Sequence, residues 1–318
     1  MIHFLRLIRP VNLLIIAVTM YSVGGYLDLV YAKSNEGLLL IQTFNFFLLV
    51  ISTVFIAAAG NIINDYFDVR ADRVNRPDRL VITKHIKRRW AIVFHWILNF
   101  VAFGMAIHLG LVLETFWYVF IHLLSINLLW FYSMQLKRTL VIGNVVIALL
   151  TGLVPVLVGI YYQDFFKTVT LDSAYPFHLN GYQFFPVYLG ITLGVFAFVL
   201  NLTREIIKDM QDVKGDLIIK ARTIPIVYGV KKSRSIAVGF VLINMALSIP
   251  IVWFWQTGYI EGMALAPLFL SALFAIFTLV ILLNPITDRN LKTANLGIKL
   301  TIIFGMLLPL FWVVQLLN

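Results

Sequence analysis

Nine stretches of this 318-residue chain are apolar over lengths that match the ~30 Å hydrocarbon core of a bilayer. They run over about 10–31, 44–66, 90–110, 114–132, 139–161, 187–207, 234–256, 263–283 and 296–316. Segments of this length and polarity read as membrane-spanning helices, because in lipid a helix satisfies its own backbone N–H and C=O groups. Hydrophobic residues make up 61% of the chain and charged residues 13%, with a mean hydropathy of +0.91, which excludes an ordinary soluble domain. The reading is an all-α polytopic bundle of nine transmembrane helices, a single integral-membrane domain over 1–318. The short turn at 110–114 makes the third and fourth helices a tight hairpin.

Charge supplies the orientation. With the N-terminus inside, only Lys33 and Lys167 of the 25 Lys and Arg residues fall on the outer side. The C-terminus is then outside, and the expected location is the cell inner membrane. The net charge of +10 sits in short loops between apolar segments, so it implies anionic membrane lipids as partners and no nucleic acid. There is no Cys, which excludes disulfides, thiolate zinc sites and Cys nucleophiles. The first apolar stretch follows Arg6 and Arg9 and lacks a small-residue cleavage site, so it reads as a span and not a signal peptide. The longest outer segment, 161–186, is polar and aromatic and reads as a connector.

Against this apolar background two acidic rows stand out. Asn61, Asp65, Asp68 and Asp72 are spaced four, three and four apart, which places them on one face of a helix, with Asn64 bordering the same row. Glu205, Asp209, Asp212 and Asp216 repeat the spacing, each 144 residues after its counterpart. Each row ends an apolar stretch, and both emerge on the inner side, at the ends of the second and sixth helices. The matched register predicts two repeated four-helix units with a ninth helix added. A row of carboxylates at the end of a membrane helix needs a reason, since each ionised group at the bilayer centre costs several kcal/mol. One row could be a salt-bridged helix end; two in register read as the halves of one metal site.

Hard oxygen donors of this kind suit Mg²⁺, which keeps waters and bridges to substrate phosphates. Basic residues interleave with the acids: Arg70, Arg73, Arg204, Lys208 and Lys214, with Lys137 and Arg138 entering from the fourth helix. Carboxylates for a metal and bases for oxyanions describe a diphosphate site, here at a membrane surface above a hydrophobic bundle. That suits a substrate with a charged head and a long apolar tail. No P-loop, GxSxG or HExxH is present, and the six His are scattered, with His85 alone near the acidic rows.

At these residues the chain resembles the UbiA family of intramembrane prenyltransferases. The family's NDxxDxxxD motif stands as Asn64 to Asp72, and its DRxNRP continuation as Asp72-Arg73-Val74-Asn75-Arg76-Pro77. The second motif is Asp209 to Asp216, and Arg9 to Asn12 match an N-terminal Arg-Pro-x-Asn. Tyr132 to Arg138, then Gly143-Asn144 and Thr151-Gly152, match the block between helices four and five. Within the family these motifs are most similar to the digeranylgeranylglyceryl phosphate synthase branch. Two departures stand out: Leu80 to His85 replace a PIPSG-like stretch, and Ala221 stands where Gly is common before Thr223-Ile224-Pro225.

The resemblance implies Mg²⁺-dependent transfer of a prenyl group, geranylgeranyl in that branch, from its diphosphate to a lipid acceptor such as geranylgeranylglyceryl phosphate. It implies Asn64, Asp65, Asp68, Asp72, Asp209, Asp212 and Asp216 around the metal, with Asp68, Asp72, Asp212 and Asp216 central to catalysis. The diphosphate falls to Asn12, Arg73, Tyr132, Lys137, Arg138, Arg204 and Lys208. An aromatic acceptor of quinone, haem or chlorin type would use the same metal site. A cation or phosphate transporter is the reading from a different class, disfavoured because both acidic rows share one face. The apolar tail is expected between helices, where Ala57 to Gly60, Gly143, Gly152 and Gly159 either leave a gap or pack helices closely. Segments 70–89 and 209–232 are expected to form a lid.

Overall fold

The computed structural model describes residues 2–31, 39–165, 185–251 and 265–317. Its helices are α1 (Ile2–Ile8), α2 (Pro10–Tyr31), α3 (Phe44–Asn75), α4 (Arg88–Val112), α5 (Trp117–Met134) and α6 (Ile142–Phe165). They continue as α7 (Phe185–Ile218), α8 (Ile224–Tyr228), α9 (Val230–Leu247), α10 (Ala266–Leu283), α11 (Asp288–Met306) and α12 (Leu308–Leu317). Among the described residues nine helices are long and apolar enough to cross a membrane, as the hydropathy pattern predicts. Most of the expected outer connector, 166–184, lies outside the described residues, as does 252–264.

Chain punctuation explains the breaks. Arg9 adopts φ 56°, and Pro10 opens α2 at the position where its missing N–H costs nothing. Pro77 cannot continue α3, which ends two residues earlier. Glu114 at φ 49° turns the hairpin between α4 and α5, and Lys220 at φ 55° follows the end of α7.

Two helices run well past their apolar stretches. α3 continues from 66 to Asn75, and α7 from 207 to Ile218. Hydropathy marks where lipid contact ends, while the helix persists through the charged rows, where Asp65, Asp68, Asp209 and Asp212 find partners on neighbouring elements.

The chain divides into two compact units, interleaved in sequence. The first comprises Met1–Ala17, Phe44–Leu150 and Asp209–Ser233. Here α3 packs on α4, α5 and α1. Buried polar pins hold it. Ser52 Oγ lies 2.8 Å from His122 Nε2, and His95 Nδ1 lies 3.0 Å from the Ala59 carbonyl. Gly60, where a tail gap was possible, meets Leu129 closely enough that a Cβ would fall 2.9 Å from its Cδ1.

The stretch between α3 and α4 is a packed strap. Leu80, Val81 and Ile82 are buried in a cluster with Leu7, Ile62, Val69 and Ala91. His85 stacks on His3 at 3.8 Å, and Arg88 covers the Tyr66 ring at 4.5 Å. The expected lid at 70–89 therefore starts as helix and continues as a segment clamped by α1, and residues 209–218 of the second expected lid are helical.

The second unit comprises Val18–Thr43, Thr151–Lys208 and Arg234–Asn318. Its α6 and α7 approach backbone to backbone. A Cβ on Gly152 would fall 2.7 Å from the Gly194 carbonyl oxygen, and one on Gly159 would strike that of Pro186. Of the two roles open to these glycines, close packing is the one the structure shows. Asp28, buried, accepts from Leu40 N–H at 2.9 Å, Ile41 N–H at 3.0 Å and the Tyr162 hydroxyl at 2.7 Å, and α10 packs on α11.

Candidate active site

In the first unit the end of α3 and the end of α7 bring Asp65, Asp68 and Asp72 into one neighbourhood with Asp209, Asp212 and Asp216. Asn75 fastens them. Its Nδ2 donates to the Asp212 carbonyl at 2.9 Å, and its Oδ1 accepts from Gly215 N–H at 2.8 Å. Only glycine fits at 215, since a Cβ would fall 2.7 Å from the Ala71 carbonyl and strike Asn75 itself.

Each acid from position 65 onward then has its own environment. Asp65 pairs with Arg9, delivered by the break between α1 and α2. Asp68, 6% exposed, accepts from Asn64 Nδ2 at 2.8 Å and pairs with Lys137. Asp209 accepts from Asn144 Nδ2 at 2.8 Å. Asp212 accepts from Arg76 Nη2 at 2.8 and 2.7 Å. Asp72 and Asp216 differ from these: neither carboxylate has a hydrogen bond or ion pair among the described residues, although Asp216 is only 6% exposed.

Lys137 is the hub. It lies on the 3-10 turn Leu136–Arg138 between α5 and α6. Gly143 makes room for that turn, because a Cβ there would meet the Leu136 carbonyl at 2.7 Å and Lys137 Cα at 2.8 Å. The Arg138 carbonyl accepts from Arg222 N–H at 2.8 Å, tying the turn to the segment after α7. Burial opposes the charge on Lys137, but Asp68 first, then Tyr132 and Asp72, outweigh it and hold its ammonium protonated above the usual lysine range. Its field also reaches Asp216. One protonated amine thus sits among acids of both rows.

The remaining expected residues are distributed as follows. Tyr132 is buried on α5, Arg73 is exposed on the last turn of α3, and Arg138 is exposed beside Lys137. Asn12 lies in the first turn of α2, its N–H donating to the Arg9 carbonyl at 2.9 Å. Arg204 and Lys208 belong to the second unit, where both engage Glu205. Residues absent from the expected set are Arg9, Asn75, Arg76 and Asn144. All four lie inside the quoted motifs. Their spacing carries no periodic signal, since each reaches its acid from a different element.

Among the described residues no three acidic or imidazole groups converge tightly enough to form a preassembled cage. The chemistry nonetheless fits a hard cation: oxygen donors alone, with Asp72 and Asp216 unpaired and the charge of a lysine between the rows. Leaving a buried Asp216 and a half-buried Asp72 without partners is costly, and an arriving cation relieves it.

Comparison with known proteins agrees. The chain is 33% identical over 257 residues to digeranylgeranylglyceryl phosphate synthase of Methanosphaera stadtmanae, covering 80% of this chain and 78% of that one. It is 34% identical over 237 residues to the Pyrococcus horikoshii protein of the same name, covering 74% and 72%. A solved structure concerned with digeranylgeranylglyceryl phosphate synthase in membranes superposes with a TM-score of 0.63 at 24% identity, over 99% of this chain and 97% of that one. A UbiA homolog from Archaeoglobus fulgidus bound to GPP and Mg²⁺ gives 0.55 at 17% identity, over 96% and 99%. The UbiA prenyltransferase family profile matches residues 17–288, with both acidic rows inside the match, and the chain belongs to that family.

Proposed function

We propose that this protein is a Mg²⁺-dependent prenyltransferase that moves a geranylgeranyl group from its diphosphate to the hydroxyl of geranylgeranylglyceryl phosphate. The observation that carries the reading is the pair of unpartnered carboxylates, Asp72 and Asp216, one from each row, flanking the protonated Lys137. The names of the relatives support the acceptor. The whole chain acts as one catalytic domain in the cell inner membrane, with N-terminus and site on the cytoplasmic side and C-terminus outside, as the distribution of Lys and Arg favours.

Asn64, Asp68, Asp72, Asp212 and Asp216 would hold Mg²⁺, with Asp65 and Asp209 in support. Held there, Mg²⁺ would supply charge to neutralise the diphosphate and make it a better leaving group. Lys137 keeps its proton throughout and adds a fixed positive charge beside the departing oxygens. Arg73 and Arg138, exposed at the rim, supply further donors to the diphosphate, and Tyr132 and Asn12 complete its contacts. Arg9 and Arg76 hold Asp65 and Asp212 in place and so orient the rows. The allylic C–O bond breaks as diphosphate leaves. The acceptor oxygen forms the new ether bond at that carbon, and its proton passes to the departing diphosphate.

The test offers labelled geranylgeranyl diphosphate and the phosphate-bearing acceptor to purified enzyme, with and without Mg²⁺. Product should require the metal and vanish in Asp216→Ala. Turnover in Asp216→Ala close to that of the parent would remove the assignment.

A further inference from the structure

We infer that Arg76 is a latch on the metal site: its guanidinium covers Asp212 until substrate binds, then exchanges that carboxylate for the diphosphate, so that metal and prenyl diphosphate load together. The inference rests on the function proposed above, in which Asp212 is a metal ligand and the substrate carries a diphosphate.

Coverage distinguishes Asp212 from the other acids that pair with a base in the first unit. Arg76 Nη2 donates to Asp212 Oδ1 at 2.8 Å and to Oδ2 at 2.7 Å. Asp65 meets Arg9 through Oδ1 alone, and Asn64 and Lys137 both reach Asp68 through Oδ2. Each of those two acids keeps one oxygen clear of hydrogen bonds among the described residues. A clear oxygen can take a cation while the other keeps its base. On Asp212 a nitrogen close to both oxygens sits where a chelated cation would sit, so metal and guanidinium compete for one place.

The contact can open without parting the helices. Consecutive residues hold Asp212 in two ways: Asn75 Nδ2 donates to its backbone carbonyl at 2.9 Å, and Arg76 grips its side chain. Asn75 also accepts from Gly215 N–H at 2.8 Å, so the ends of α3 and α7 stay in register when Arg76 lets go. The Arg76 and Asp212 side chains are 31% and 25% exposed, and a partly solvated ion pair is weak enough for a divalent cation to displace. Arg76 engages through Nη2 alone; its Nη1 and Nε make no hydrogen bond among the described residues and are ready for an oxyanion. Position supplies the coupling. Arg76 follows Asp72 by four residues, its N–H donating to the Asp72 carbonyl at 2.9 Å, and Asp212 precedes Asp216 by four. The pair therefore lies one turn from each unpartnered carboxylate. A cation arriving alone between Asp72 and Asp216 would meet the guanidinium charge at close range. A diphosphate resolves the conflict, because its oxygens can bind the metal and also draw the guanidinium away from Asp212. Such coupling is reciprocal: each ligand strengthens binding of the other.

Calorimetric titration of the whole chain in nanodiscs of neutral lipid provides the test. The probes are Mg²⁺ alone and, at saturating Mg²⁺, the methylene-bridged diphosphonate analogue of geranylgeranyl diphosphate. In Arg76→Met, Kd for Mg²⁺ alone should fall roughly fivefold, as for loss of one competing, partly exposed ion pair. Kd for the analogue should rise about tenfold or more, as for loss of one charge-assisted hydrogen bond. The opposite signs are the signature. A residue that only holds the site together would weaken both ligands, and that result, or an unchanged Kd for Mg²⁺, overturns the latch. Arg9→Met is the comparison: Asp65 keeps an oxygen clear, so Mg²⁺ should gain less there than in Arg76→Met. An equal gain in both variants would mean that net charge alone sets the affinity, and the latch falls. The underlying reading has a separate check. If Asp216→Ala binds Mg²⁺ and the analogue as tightly as the parent, the metal site itself is misassigned, whatever Arg76 does. Thermal melting of each variant separates these outcomes from misfolding; should Arg76→Met unfold, Arg76→Gln carries the same comparison.

Discussion

The two acidic rows share a spacing and differ in their partners. At the first position Asn61 donates to the Ile8 carbonyl at 2.9 Å, whereas Glu205 is a buried counter-ion for Lys208. At the second, Asp65 meets a guanidinium and Asp209 a carboxamide. At the third, Asp68 pairs with Lys137 and Asp212 with Arg76. Only at the fourth do the rows agree, since Asp72 and Asp216 are both unpartnered. A repeated sequence thus fixes which helix face the acids occupy, while the surrounding chain decides what each does. The positions near the first turn of each row serve structure, and those at the open end remain available to a ligand.

The strongest test of that agreement is to treat the fourth positions as equivalent. Asp72→Asn and Asp216→Asn should each lower kcat/KM by about three orders of magnitude or more, since metal stabilisation of a leaving group is worth several kcal/mol. If one variant stays within tenfold of the parent, the rows are not equivalent and only one carries the metal.

At the third positions, Lys137→Met should be the more damaging change. It removes the hub and leaves Asp68 buried without its counter-charge, at a cost of about 3–5 kcal/mol or lost expression. Arg76→Met should cost less, about ten- to a hundredfold in rate, because it only frees Asp212 to reorient. pH separates the effects further. A lysine whose folded pKa is raised stabilises fully below its ordinary value of 10.5 and loses that contribution as pH climbs beyond it. Melting temperature should therefore show no step from Lys137 between about pH 6 and 9 in the parent, and any step seen there belongs to another group.

At the second position, Asn144→Ala should cost roughly tenfold in rate through a loosened Asp209. The smallest effect belongs to the first position. Asn61→Ala removes one hydrogen bond, ~1 kcal/mol, visible as a few degrees in thermal melting with activity nearly intact.

Much of this was legible in the sequence. The spans follow from hydropathy, the helical face of each row from its spacing, and the match between rows from register. The partners were not legible, because Arg9, Arg76, Lys137 and Asn144 reach the acids from separate elements that no local pattern connects. Hydropathy also hid the true length of α3 and α7, since a helix does not stop where its lipid contact does. Gly152 and Gly159 show the same limit. Their small size permitted either a gap or a close approach, and the facing backbone of α7 decides for approach. The strap at 76–88 could be read as a loop by composition, yet Leu80, Val81 and Ile82 had a hydrophobic cluster waiting on α1 and α3.

The contact between Asn75 and Gly215 has a consequence for how this sequence can drift. Gly215 is pinned by the Ala71 carbonyl, a backbone atom that no substitution elsewhere on α3 removes. Asn75 is pinned only by the two hydrogen bonds it makes to α7. The order of tolerated change is therefore directional. A lineage can exchange Asn75 and keep the helices in register at some loss of stability, whereas any side chain at 215 pushes the two rows apart before position 75 has a chance to compensate. In a library that randomises both positions under selection for activity, glycine at 215 should be recovered nearly alone, with several residues beside it at 75.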